Sequence, residues 1–158
     1  MIYALLKTLH LLAIIVWIGG MVFAHFFLRP ALGALELPER VRLMHAVLGR
    51  FFNAVLAAAT LTLVTGVWMI GRMAKQMVQA GVPFNMPIEW TVMAALGIVM
   101  MLIFGHIRFS LYKRLSRAVQ ASDWPAGASA LVQIRLWVVV NLALGVVIVL
   151  VTLLAASA

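Results

Sequence analysis

The chain has 158 residues, of which 66% are hydrophobic and only 10% are charged, and its mean hydropathy is +1.14. This composition excludes a soluble globular domain and predicts a membrane protein. The net charge of +8 is typical of the positive loops of membrane proteins, so we predict no nucleic-acid partner. The lack of cysteine excludes disulfides, thiolate metal sites and iron–sulfur clusters.

Four apolar runs free of acidic and basic residues follow one another at 8–28, 51–71, 90–107 and 136–158. Each is long enough to cross a bilayer as a helix and therefore to contact lipid. We predict an all-α membrane protein with a single four-helix transmembrane domain over 1–158, its helices at about 3–28, 42–71, 89–112 and 132–156. The connections are short and rich in Pro and Gly, which predicts an antiparallel bundle.

Basic residues are distributed unevenly between the two ends of this bundle. One end holds Arg29, Arg40, Arg42, Arg50, Arg108, Lys113, Arg114, Arg117 and Arg135, whereas the other holds Lys7, Arg72 and Lys75. Because positive loops stay in the cytoplasm, the first group predicts the cytoplasmic side and places both termini on the opposite side.

The first and third helices end in similar motifs, Phe-Ala-His-Phe at 23–26 and Phe-Gly-His-Ile at 104–107. A loop with a Leu-Pro or Trp-Pro step follows each motif, and then an Arg with bulky apolar residues opens the next helix. A repeat would relate two helix pairs by a pseudo-twofold axis along the membrane normal. Chance similarity in an apolar chain is the alternative interpretation.

Imidazole is the usual axial ligand of haem b, and two of the four histidines, His25 and His106, lie at matched depth. Matched depth on facing helices is what a bis-imidazole haem b requires, so we predict these two as the axial pair and His45 as a third candidate. Interhelical hydrogen bonding is the alternative role for each. Nearby arginines that could hold the haem propionates are Arg29, Arg50, Arg108 and Arg135.

His10 lies near the opposite end of the first helix, roughly 22 Å from His25 along the helix axis. The two therefore cannot share a metal. Imidazole and thioether donors suit Cu(I), and several methionines fall on the same side as His10: Met69, Met73, Met86 and Met93. Methionine is also a common filler of apolar cores, which is the alternative interpretation. Asn53 and Asn141 are predicted to serve helix packing.

The segment Lys-Thr-Leu-His-Leu-Leu-Ala at 7–13, followed by Trp-Ile-Gly-Gly at 17–20 and Leu-Arg-Pro-Ala-Leu at 28–32, resembles the opening of the copper-resistance D (CopD) family. Arg-Phe-Phe at 50–52, Thr-Gly at 65–66 and the segment 104–115 also resemble CopD proteins. The Lys-x-x-His…Trp pattern is similar to HemJ-type protoporphyrinogen oxidases. Unlike that group, the last helix has no Glu after Asn141, and the loops lack the Met/His-rich runs expected of a copper importer.

This resemblance implies a multi-pass protein of the bacterial inner membrane, with periplasmic termini. The resemblance to HemJ-type proteins implies haem b linked to His10, and the resemblance to CopD proteins implies copper. We therefore hold three hypotheses. The first is a haem b protein that transfers electrons with a quinone or other redox partner, with a haem-dependent oxidoreductase left open. The second is a copper-binding or copper-transport protein using His10, Met69 and Met93. The third is a structural subunit, and a homodimer is compatible with all three.

Overall fold

The computed structural model describes residues 1–156, and four long helices account for most of them. These are α1 (Ile2–Ala34), α2 (Leu37–Gln79), α3 (Ile88–Gln120) and α4 (Trp124–Ala156). All four are long and apolar enough to cross a membrane, and no strand occurs in residues 1–156. The predicted all-α, four-helix membrane fold is confirmed. The last two residues of the apolar run at 136–158 lie outside the described residues.

The helices begin and end where local chemistry favours it. Pro38 lies in the first turn of α2, where its missing N–H costs nothing. The loop after α2 bends at Gly81, which has φ +72°. Between α3 and α4, Ser122 adopts φ 54°, and Asp123 Oδ1 then accepts a hydrogen bond of 3.0 Å from the Ala126 amide at the start of α4. The connections return α2 alongside α1 and α4 alongside α3.

The helices extend beyond the ranges expected from hydropathy, most clearly at the end of α3. Its last segment, Tyr112–Gln120, is amphipathic: Leu115 and Ala118 are buried, whereas Lys113 and Arg114 are exposed. Length of uncharged sequence measures only the part of a helix suited to hydrocarbon. It therefore does not detect a charged, half-solvated continuation of the same helix.

Contacts between residues define the directions of the helices. Two pairs join α1 to α2 in antiparallel order, His10 to Thr65 and Gly20 to Phe51. The α2–α3 contact is also antiparallel, with Asn53 opposite Arg108 and His45 opposite Ser116. The α3–α4 contact pairs His106 with Trp137 and Met100 with Gly145. We call the end with the loops at 35–36 and 121–123 the basic end, and the end with residue 1 the terminal end.

The core is centred on a chain of aromatic rings that links three helices. The Trp17 and Phe104 rings meet edge to face at 5.9 Å, Phe104 meets Phe52 at 6.0 Å, and Phe52 meets Tyr112 at 5.5 Å. From there the core continues to the basic end, where Val41 and Leu115 are fully buried. The core is therefore concentrated in the basic-end half of the bundle.

Two π-helical segments interrupt the α-helical geometry, Phe23–Leu28 in α1 and Ile107–Leu111 in α3. His25 lies within the first, and His106 directly precedes the second. A π turn holds one additional residue, so it rotates the faces of the helix on either side of it, and such turns are frequent at functional sites. The sequence repeat that suggested a pseudo-twofold axis stays a prediction.

Candidate functional site

His10 is a buried polar side chain on the face of α1 that also buries Ala13, Trp17 and Met21. Only 9% of its surface is exposed. Its Nδ1 lies 2.9 Å from Oγ1 of Thr65, a buried residue of α2. The pair joins the two helices at a level where the surroundings are otherwise apolar.

The hydrogen bonds of Thr65 favour one tautomer of His10. The Thr65 hydroxyl lies 2.6 Å from the Leu61 carbonyl oxygen, one turn back in the same helix, and donates to it. With its single hydrogen used there, Oγ1 accepts at the contact with His10 and Nδ1 donates. A neutral imidazole protonated at Nδ1 carries its lone pair on Nε2. Fixing the ring through one nitrogen in this way is typical of metal-ligating histidines.

The imidazole of His10 lies against α2 beside Gly66. A Cβ built on Gly66 would be 3.4 Å from Cε1 of His10, which is an ordinary van der Waals contact. Sequence reasoning found His10 but missed its contacts with Thr65 and Gly66. The signal was present, because the Thr-Gly step at 65–66 is part of the pattern that resembles CopD proteins.

Two of the predicted copper ligands lie near the level of His10. Met69 is one turn beyond Thr65 on the same face of α2 and is buried. Helices α1 and α3 run parallel, and Trp17 of α1 meets Phe104 of α3. His10 lies seven residues before Trp17 and Gly97 lies seven residues before Phe104, so His10 and Gly97 are at the same level. Half-buried Met93 is one turn from Gly97. Three helices thus present an imidazole and thioethers at neighbouring levels.

The described residues do not form a metal centre of His and carboxylate ligands alone. Across the part of the chain that the structure describes, no group of three or more His, Cys, Asp or Glu side chains could hold a metal ion. In a metal site at this level, Met69 and Met93 would add thioether sulfur to the imidazole nitrogen of His10. That donor set is soft and suits Cu(I).

A second candidate site is a half-open cavity of about 440 Å³ between α1, α2 and α4 at the basic end. His25 and three arginines, Arg29, Arg40 and Arg135, line it together with an apolar wall that includes Phe51. Within residues 1–156, none of the three guanidinium groups makes an ion pair. Sequence analysis predicted His25, Arg29 and Arg135 here. It did not single out Arg40, which lies beyond the apolar run of α2.

His106 lies elsewhere. Its side chain is exposed, and its ring contacts the Trp137 ring at a centroid distance of 5.5 Å. It does not line the cavity that holds His25. The two rings of the predicted axial pair therefore do not share that cavity. Because Trp17 meets Phe104, His25 also lies about six residues nearer the basic end than His106.

The remaining predicted haem residues mostly connect α2 to α3. His45 Nε2 lies 2.9 Å from Ser116 Oγ, and the His45 ring stacks on Tyr112 at 5.1 Å. Arg108 donates to Asn53 Oδ1 at 3.2 Å. Arg50 is exposed. None of these three predicted ligands lines the basic-end cavity.

Comparison with known proteins gives one match. The chain matches the family model described as copper resistance protein D over residues 45–155, which is more than half of its length. No curated protein and no solved structure matches the chain. The matched region contains Thr65, Met69 and Met93, and His10 precedes it. Similarity to HemJ-type oxidases stays a prediction.

Proposed function

The chain belongs to the copper resistance protein D family, and on that premise we propose that it binds Cu(I) inside its helical bundle and serves copper tolerance or transport. The observation that carries this proposal is the hydrogen bond between His10 Nδ1 and Thr65 Oγ1. This hydrogen bond sets the orientation of the buried imidazole ring and leaves a lone pair on its Nε2.

The surrounding donors support Cu(I) over harder cations. Met69 on α2 and Met93 on α3 are thioethers about one helical turn from the level of His10, and thioether sulfur and imidazole prefer soft ions. The acidic residues of the chain, Glu36, Glu39, Glu89 and Asp123, all lie outside the middle of the apolar runs. Mg²⁺ and Ca²⁺, which require several oxygen ligands, find no such set beside His10.

The distribution of charge supports an orientation for this site. The arginines of the basic end favour the cytoplasmic side, which would place the terminal end and His10 towards the periplasm of a bacterial inner membrane. Copper would then reach His10 from outside the cell. This orientation is part of the proposal.

Metal titration of purified protein tests the proposal. Wild-type protein in detergent should take up Cu(I) anaerobically from a coloured Cu(I) chelate, and His10→Gln should lose that uptake, because Gln can still donate to Thr65 but has no imidazole nitrogen. The matched control is His45→Gln, because His45 Nε2 is already engaged by Ser116. Equal copper binding by His10→Gln and wild-type protein would refute the role of His10.

A second candidate function, haem b binding with electron transfer to a quinone or other redox partner, is favoured by the basic-end cavity. The cavity combines an imidazole and an apolar wall with three arginines: His25, Arg29, Arg40 and Arg135. In a haem, the iron binds imidazole, the ring is apolar, and the two carboxylates pair with arginine. These residues fit such a ligand. When bound, haem would supply one-electron chemistry, and the arginines would orient the ring by its propionates.

The two candidates separate by colour and metal content. Haem b would give a Soret band with sharp α and β bands after reduction, and His25→Ala would remove or shift them. His106→Ala would leave the spectrum unchanged if His25 alone faces the iron, and would alter it if the predicted axial pair forms. A colourless sample that retains copper would support the copper proposal.

A further inference from the structure

Three methionines follow Thr65 along α2 at intervals of four residues: Met69, Met73 and Met77. We call them the methionine ladder. Residues four apart lie on the same face of a helix, and each step rises about 6 Å along the axis. The ladder therefore begins at the partner of His10 and runs towards the terminal end.

Burial along the ladder decreases in the same direction. Met69 is buried, whereas Met73 and Met77 are half-buried. A long unbranched thioether side chain can move its sulfur by several bond lengths, so neighbouring rungs about 6 Å apart are within reach of a shared ion. The ladder connects a buried site to the surroundings of the bundle.

The ladder methionines lie outside the main hydrophobic core cluster. Met21 and Met100 belong to that cluster, and Met44 and Met101 pack against it. Met69 is buried, but none of the three ladder methionines belongs to the cluster or packs against it. Filling gaps in that cluster therefore does not account for their regular spacing.

A second cavity lies at the terminal end and includes one rung. It has a volume of about 380 Å³ and is lined by Tyr3, Arg72, Met73, Gln76 and Trp90. Met73 is therefore accessible from a cavity that lies beyond the His10 level. The positive charge of Arg72 at the same cavity repels hydrated divalent cations, but it tolerates Cu(I) delivered as a neutral or anionic complex.

We infer that the methionine ladder is the path by which Cu(I) moves from the terminal end of α2 to His10, with the terminal-end cavity open to its middle rung, Met73. The inference rests on the proposed function and adds an access point, a direction and an oxidation state. Each transfer exchanges one thioether for the next, so the ion stays Cu(I) and no electron or proton is moved. Thioethers bind Cu(I) without a charge of their own, which suits transfer through an apolar region.

Kinetics of copper loading test the ladder. Wild-type, Met73→Leu and Met77→Leu proteins in lipid nanodiscs receive Cu(I) from a coloured chelate, and both the rate of transfer and the final copper per chain are measured. We expect both variants to load several-fold more slowly and to reach the wild-type copper content, because the His10 site is intact. The matched control is Met101→Leu, which packs against the core and should load at the wild-type rate.

Distinct outcomes separate this inference from the proposed function. Wild-type rates in Met73→Leu and Met77→Leu, with normal copper content, would overturn the ladder alone. An equal slowing in Met101→Leu would also overturn it, since the effect would then not belong to the ladder. A wild-type protein that binds no Cu(I) would instead overturn the copper proposal, and the ladder with it.

Discussion

The imidazole Nδ1 of His10 and the hydroxyl of Thr65 lie 2.9 Å apart, although 55 residues separate them in the sequence. The contact joins α1 to α2 within the terminal-end half of the bundle. It also orients a nitrogen donor in a region where side chains are mostly apolar.

Replacing Thr65 by Val should weaken Cu(I) binding by about 10–100-fold, the usual cost of losing a residue that orients a metal ligand. Val keeps the shape of Thr but cannot accept the hydrogen bond from His10. Competition with a Cu(I) chelate measures the affinity. Thr60→Val is the matched control, because the Thr60 hydroxyl is exposed and donates only to the Leu56 carbonyl oxygen in its own helix. Equal affinities of the two variants would argue against the supporting role of Thr65.

Gly127→Ala should destabilise the protein by about 1–3 kcal/mol, as overpacking of a closed interface does. A Cβ at Gly127 would be 2.7 Å from Cγ1 of Val41, which is fully buried between α2 and α4. Thermal unfolding in detergent, followed by tryptophan fluorescence, should show a lower midpoint. Gly71→Ala is the control, because nothing lies within 4 Å of its added Cβ. Its midpoint should be unchanged or higher, since Ala favours the helix.

Asn141 and Asn53 should respond to substitution in opposite directions. Asn141 is 1% exposed and its Oδ1 has no hydrogen-bond partner, so Asn141→Val should raise the unfolding midpoint by removing a buried unsatisfied carbonyl. Asn53 Oδ1 accepts a hydrogen bond from Arg108. Asn53→Val should therefore lower the midpoint, because it reduces the free energy of unfolding by about 1 kcal/mol. A fall in the midpoint of Asn141→Val would show that its amide makes a contact essential to the fold.

Arg40→Gln should raise the unfolding midpoint at low ionic strength and have less effect in high salt. Arg29, Arg40 and Arg135 converge on one cavity without an ion-pair partner in the described residues, and salt screens their mutual repulsion. The measurement is the difference in midpoint between wild type and variant across a salt series. Arg42→Gln provides the control, because Arg42 lies over the Trp124 ring at 4.6 Å and not in the cavity. A salt-independent difference would mean that repulsion does not govern the site.

Hydropathy was sufficient to predict four spanning helices, because burial in lipid depends on the length of the apolar run. It could not predict the extension of α3 over Tyr112–Gln120, which is stabilised by packing of Leu115 and Ala118 on one face while charged residues occupy the other. An amphipathic segment of this kind reads as a loop when only its average hydropathy is considered.

Neither the depth of a residue relative to other helices nor its direction around a helix followed from the sequence. His25 and His106 were matched in depth from sequence, but with Trp17 against Phe104 His25 lies about six residues nearer the basic end. His25 lines a cavity, whereas His106 is exposed beside Trp137. Facing direction depends on the π-helical segments at these positions, which sequence periodicity does not show. The support of His10 by Thr65 was hidden for another reason: it arises only when two antiparallel helices are aligned in register.

The length of α2 has a consequence for the height of the molecule. Its 43 residues span about 64 Å at 1.5 Å per residue, roughly twice the thickness of the hydrocarbon layer. Even when tilted, α2 must emerge into the headgroups or water on both faces of the bilayer. Met77 is two residues from the end of this helix. The outer rung of the methionine ladder therefore lies at the projecting tip of α2.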